Sequence, residues 1–191
     1  MAGGEGKRSK SNGVYVALLR GINVGGKNRL PMSDLTALFN DAGCCNVRTY
    51  IQSGNVAFGA EEDLARRIPA IISQALLDRH GLKVPVVTRD LDALLTVAGS
   101  NPFLSAGTDP AALHVAFLAD KPDPSRVASL DPERSPQDQF IIRDSEIFLH
   151  CPNGMARSKL TNAYFDSRLG TTSTVRNWRT VLKLIELAEG S

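Results

Sequence analysis

The chain has 191 residues, enough for one large domain or two small subdomains, with 42% hydrophobic and 22% charged residues. That balance belongs to a soluble globular protein with a real core, and the longest apolar runs are strand-sized, too short for a transmembrane helix. The formal net charge is +2, all supplied in residues 1–12 by Lys7, Arg8 and Lys10 against Glu5. The rest of the chain sums to zero and lacks the basic excess usual in a nucleic-acid-binding domain.

Residues 1–12 carry a basic patch with no apolar stretch behind it, so they read as a disordered basic tail and not as a secretory signal. Val14 to Leu19 is an apolar strand running into a polar loop, ending at Asn28, with three glycines. Pro31 and Ser33 then open a helix with Leu35, Leu38 and Phe39 on one face, and Gly43 ends it. A hairpin follows, residues 46–52 and 55–58, with Ser53-Gly54 as its turn. Glu61, Glu62 and Asp63 favour the start of a longer helix striped by Leu64, Ile68, Ile72 and Leu76 and closed by Gly81. Pro69 lies inside that stripe and is expected to kink the helix or detach its first turn. With a strand at 83–88, residues 13–89 have the βαββαβ order of a ferredoxin-like subdomain.

Residues 90–110 read as a connecting helix and loop, and residues 111–191 as a second α+β subdomain. The latter starts with a strand at Leu113–Leu118. A short helix lies around 125–130, and a hairpin of 139–143 and 146–150 turns at Asp144-Ser145. A helix near 155–166 and a Gly-Thr-Thr-Ser-Thr linker lead to a last helix striped by Val175, Trp178, Leu182 and Ile185. The expected class is therefore α+β, a ferredoxin-like βαββαβ subdomain followed by a related βαββαα subdomain.

Five segments occur in a fixed order: LLRGINVGGKN (18–28), NVRTYIQSGNVAF (46–58), NPF (101–103), PNGMARSKL (152–160) and TVRNWRTVLKL (174–184). Together they resemble a largely bacterial family known as domain of unknown function 1697, over about residues 14–188. The one departure is Val175, where alanine is expected. The resemblance implies a compact α+β protein with a ferredoxin-like first part and a related second part. It brings no reaction, cofactor or catalytic residue with it.

The glycine loop invites comparison with the P-loop, GxxxxGK followed by Ser or Thr. Gly21, Gly26 and Lys27 fit, but Asn28 replaces the hydroxyl that would hold Mg²⁺, and the helix starts too late. An RNA-recognition sheet shares the element order and could use Tyr15 on its first strand, but Asn55 and Ala57 stand where its third strand needs aromatics. The reading that remains is an anionic ligand, phosphorylated or nucleotide-like, in a cleft between the two subdomains. Arg20, Lys27, Arg157, Lys159 and Arg176 would supply charge. Asn23, Gln52, Ser53 and Asn55 would orient the ligand, and Gly25, Gly26 and Asn28 would offer backbone donors. Ser158, Thr172 and Asn177 stand near expected helix starts, where free N–H groups favour anions. Each residue also has a purely structural role open to it, as a turn, a cap or a solvated cation.

Two rivals are weak nucleic-acid binding through the same cations with the tail, and a partner-binding module that takes no small ligand. His80, His114 and His150 lack metal-ligand spacing, so no metal site is expected, and Cys151 reads as a packed thiol. Cys44, Cys45 and Cys151 include no CxxC pair, which points to a reduced, cytoplasmic chain.

Overall fold

The computed structural model describes residues 12–26, 28–105 and 107–190. Lys27 and, except for Asn12, the expected tail lie outside them. The first half consists of β1 (Gly13–Leu19), α1 (Met32–Asp41), β2 (Cys45–Tyr50), β3 (Asn55–Ala60), α2 (Glu62–His80) and β4 (Val86–Asp90), followed by α3 (Leu91–Gly99). The second half consists of β5 (Leu113–Leu118), α4 (Pro124–Ala128), β6 (Gln139–Arg143), β7 (Glu146–His150), α5 (Asn162–Leu169), β8 (Ser173–Asn177) and α6 (Trp178–Glu189). The strands form two antiparallel sheets, ordered β2-β3-β1-β4 and β6-β7-β5-β8, so each half repeats the other's strand order.

β1 is apolar at consecutive positions because both of its faces are covered. Ala17 and Leu19 face α1 and α2, in a core with Phe39, Phe58, Ile68 and Ile72. Val16 and Leu18 face the other way, into a central core shared with Val115 and Phe117 of β5, Leu94 of α3 and Trp178 of α6. A third core lies on the far face of the second sheet, where Leu118, Ile147 and Leu149 meet Phe165 and Leu169 of α5. Alternate residues of each central strand thus belong to different cores, as the two-residue period of a strand requires. Among the described residues no helix is long and apolar enough to cross a membrane.

The second half holds one element beyond expectation. Residues 173–177 are not linker and helix start but a strand, β8, paired along β5. Its Ser173, Thr174 and Arg176 are buried polar residues, which hydropathy reads as loop. The helix expected at 155–166 is likewise replaced by a 3-10 turn at Met155–Arg157 and by α5 from Asn162. Ser158 Oγ accepts the Leu160 N–H (3.0 Å), a local bond that competes with helix, and Thr161 Oγ1 caps α5 by accepting from Tyr164 N. With α6 starting at Trp178, its inner face is Trp178, Val181, Leu184, Ile185 and Ala188. Val175 belongs to β8 and Leu182 points outward.

The first hairpin turns over the four residues Ile51–Gly54 rather than two, with Tyr50 opposite Asn55. α2 runs through Pro69 as a single helix, so the first turn is not a separate piece.

Candidate functional site

The loop after β1 is held by its own asparagines. Asn23 takes positive φ (54°); its Nδ2 donates to the carbonyls of Leu30 (2.8 Å) and Gln52 (2.9 Å), and its Oδ1 accepts the Leu30 N–H (2.8 Å). Asn28, also at positive φ, donates to the Gly21 carbonyl at 2.9 Å. These short amides tolerate the left-handed region and close the loop on itself. Both side chains are therefore engaged within the fold. Gly25 and Gly26 sit exposed at the tip, and α1 starts only at Met32, so the helix does not open on the loop as in a P-loop.

Arg20 leaves the end of β1 toward the second half. Its Nη1 pairs with Asp166 Oδ2 of α5 (2.5 Å) and donates to the Ser173 carbonyl (2.9 Å). Asp166 Oδ1 in turn accepts from Ser173 Oγ (2.6 Å) and N (2.7 Å).

Arg176 is the centre of the region. It projects from β8 into the first half and is buried, with Nε donating to Asn55 Oδ1 at 2.6 Å. Nη1 reaches Thr174 Oγ1 (2.8 Å) and the Val175 carbonyl (2.9 Å), and Nη2 the carbonyl of Leu19 (2.6 Å). Longer contacts run from Nη2 to the carbonyls of Gly54 (3.3 Å) and Ser53 (3.4 Å). Asn55 is itself fully buried, held by Nδ2 bonds to Ser53 Oγ and the Tyr50 carbonyl. Every one of these acceptors is neutral, and among the described residues Arg176 forms no ion pair with a carboxylate. Burial lowers its pKa to about 10, which leaves it protonated at neutral pH.

A cleft of about 370 Å³ opens beside these residues, lined by Arg20, Ser53, Asn162, Thr174, Arg176 and Thr180 among others. Asn162 opens α5 and Thr180 lies in the first turn of α6, so the first turns of two helices, where the partial positive charge resides, lie at its wall. No carboxylate lines it. Asn177 lies at its edge, capping α6 by accepting from Arg179 N and donating to the Ala111 carbonyl.

The remaining expected residues lie elsewhere. Arg157 lines a separate cleft of about 410 Å³ with Ser135, Asp138 and Asn153. Asn23, Gly26 and Gln52 line a third, of about 310 Å³, with Arg29. Ser158 turns its hydroxyl to Leu160, Lys159 is exposed, and Thr172 is half-buried beside β8, its carbonyl accepting from Ala119 N. The cations of the expected site are thus split, with Arg20 and Arg176 together and Arg157 apart. Asn162, Asp166 and Thr180 were not among the expected residues. The cap signal Thr161-Asn162 was available to place the first two.

Cys151 is buried and its thiol pKa is pushed up to about 11 by desolvation, which disfavours the thiolate at neutral pH. Tyr15 packs on Phe58 within the first core (5.7 Å between rings), and the opposite face of that sheet is covered by the second half, which leaves no open platform for stacked bases. No group of three His, Cys, Asp or Glu among the described residues is placed to hold a metal.

Fold and cleft together define a two-sheet α+β protein whose halves meet around a buried arginine. The chain belongs to the family described as Protein of unknown function (DUF1697), whose pattern matches residues 13–148. Among solved structures it is similar to that of the conserved bacterial protein SP0830 from Streptococcus pneumoniae, at 23% identity and a TM-score of 0.68, covering 93% of this chain and 99% of that one. That likeness shows the fold. The sequence finds no match among curated proteins.

Proposed function

We propose that the protein binds a small anion-bearing ligand, phosphorylated or carboxylated, in the cleft between the end of β1 and the β8–α6 junction. The observation that carries this reading is the buried charge of Arg176, whose neutral partners satisfy its donors without compensating its charge. A cation in a low-dielectric surrounding keeps a strong field, and the adjacent cleft has no carboxylate to quench it. The starts of α5 and α6 add to the same sign of potential, and Arg20, its charge paired with Asp166, lines the cleft beside them.

The test is thermal unfolding in the presence of inorganic phosphate, pyrophosphate, nucleoside monophosphates and small dicarboxylates. A ligand that binds the native state raises the midpoint with concentration, by about 2.7 kcal/mol of stability at a hundredfold excess over Kd. Thr180→Glu places a carboxylate at the cleft, where the first turn of α6 tolerates an acid, and is expected to abolish the shift while leaving the unliganded midpoint in place. An absence of any shift up to ~10 mM ligand, or a shift untouched by Thr180→Glu, sinks the reading. A nucleic acid held by the tail and the same cations would instead lose affinity steeply with salt and on deletion of residues 1–12.

A further inference from the structure

The second sheet leaves β6 on its outer edge, and this edge differs from the others. β2, the outer edge of the first sheet, is interrupted by a register shift between Cys45 and Arg48, with Asn46 at positive φ (51°), a device that blunts strand pairing. β4 and β8 approach each other. β6 has unbroken register against β7 from Gln139 to Arg143. In a two-residue hairpin the pair flanking the turn, here Arg143 and Glu146, is the hydrogen-bonded one, so alternation turns the backbone groups of Phe140 and Ile142 to the free edge.

The surroundings of that edge are apolar. A groove of about 720 Å³ follows it, walled by Phe103, Leu130, Pro132, Phe140 and Ile141. Ile141 is 39% exposed, and nearby in sequence to Phe103 Leu104 is 51% exposed. The charges are arranged end to end. Glu133 and Asp138 line the groove toward the start of the strand, while Arg143 stands at its end, fixed by donation to the Ser100 carbonyl at 2.6 Å.

We propose that β6 pairs antiparallel with β6 of a second copy of this chain, about a two-fold axis at Ile141. In that register Phe140 and Ile142 of each copy exchange both backbone bonds with Ile142 and Phe140 of the other, which matches the residues whose groups face outward. Ile141 meets its own equivalent, joining the exposed apolar residues of both copies. Arg143, the one charge in the strand, faces the second copy's Gln139 and not its Arg143, and comes to the acidic end of the opposite groove. An isologous pairing of this kind closes after two copies and joins the two second-half sheets into one.

Sedimentation equilibrium of the full chain from ~1 to ~500 µM tests it. A dimer is expected in the wild-type chain, with Gln139→Glu tightening it and Gln139→Arg weakening it, each by about tenfold, because the position recurs on both sides of the axis. Ile141→Lys, which sets two cations against each other at the axis, should give a monomer with unchanged far-ultraviolet circular dichroism. Gln139 is exposed, so its two variants fold and give opposite signs even if Ile141→Lys proves insoluble. A wild-type chain that stays monomeric throughout, or a dimer indifferent to both Gln139 variants, overturns the proposal; a monomer that takes up an unrelated strand on β6 does so equally.

Discussion

Arg176 shows how one side chain can fasten two halves of a fold. Its guanidinium spans from β8 to the carbonyl of Leu19, the amide oxygen of Asn55 and the hairpin turn, all in the other half. A lysine could not reproduce this, since a point ammonium lacks the planar fork that reaches divergent acceptors. His114 on β5 is a second buried polar residue with a consequence. Burial lowers its pKa below the ordinary 6.5, while a contact to the Ala112 carbonyl (3.3 Å) acts the other way and does not win. Because the folded chain holds the proton less tightly than the unfolded one, the stability tied to the neutral ring is present above pH 6.5 and is lost as pH falls from there through the lowered folded value. Urea unfolding at pH 7.5 and 5.5 should show a larger loss for the wild-type chain than for His114→Gln. Equal losses in both would refute the assignment.

The first hairpin carries an oddity at the scale of the element. Its four-residue turn places Ile51 at φ 48°, a region that β-branched residues avoid, with the side chain 52% exposed. Left-handed backbone costs roughly 1–2 kcal/mol in a residue with a Cβ, and asparagine tolerates it better. Ile51→Asn is therefore expected to raise stability by about 1 kcal/mol, read as a higher denaturant midpoint at constant slope; a lower midpoint would mean the isoleucine packs more than its exposure shows. The second hairpin meets the same demand with Asp144 at φ 50°, the residue type its turn prefers. Helix starts follow local chemistry in the same way, with Asp90, Thr161 and Asn177 each accepting a backbone N–H of the helix they open.

The central core decides the behaviour of the whole molecule. Val16, Leu18, Ala57 and Val87 of the first sheet share it with Val115, Phe117 and Trp178 of the second half. Parts cut at the expected bounds, 13–89 and 111–191, would each expose one wall of this core. We expect a single unfolding transition, with the fluorescence of the lone tryptophan, Trp178, superimposing on far-ultraviolet circular dichroism. Two resolved transitions, or a soluble folded fragment ending at residue 110, would show that the halves are independent.

Local patterning was enough to place β5, β6 and β7 at their observed bounds, because alternation and a short turn signal lie within a few residues of each other. It also carried the βαββαβ order of the first half and the closure of α2 at Gly81, whose φ of 67° suits glycine. It missed β8, since Ser173, Thr174 and Arg176 are buried polar residues whose partners lie as far away as Leu19 and Asn55. Nor could it divide the cations. Arg20 and Arg176 are 156 positions apart yet line one cleft, whereas Arg157, much nearer to Arg176 in the chain, lines another. Periodicity, caps and turns act over a few residues, so most elements were legible in the sequence, β8 and the stretch 155–166 excepted. Which polar side chains meet was decided only by tertiary structure, because the packing of one sheet against the other sets where their strand ends come together.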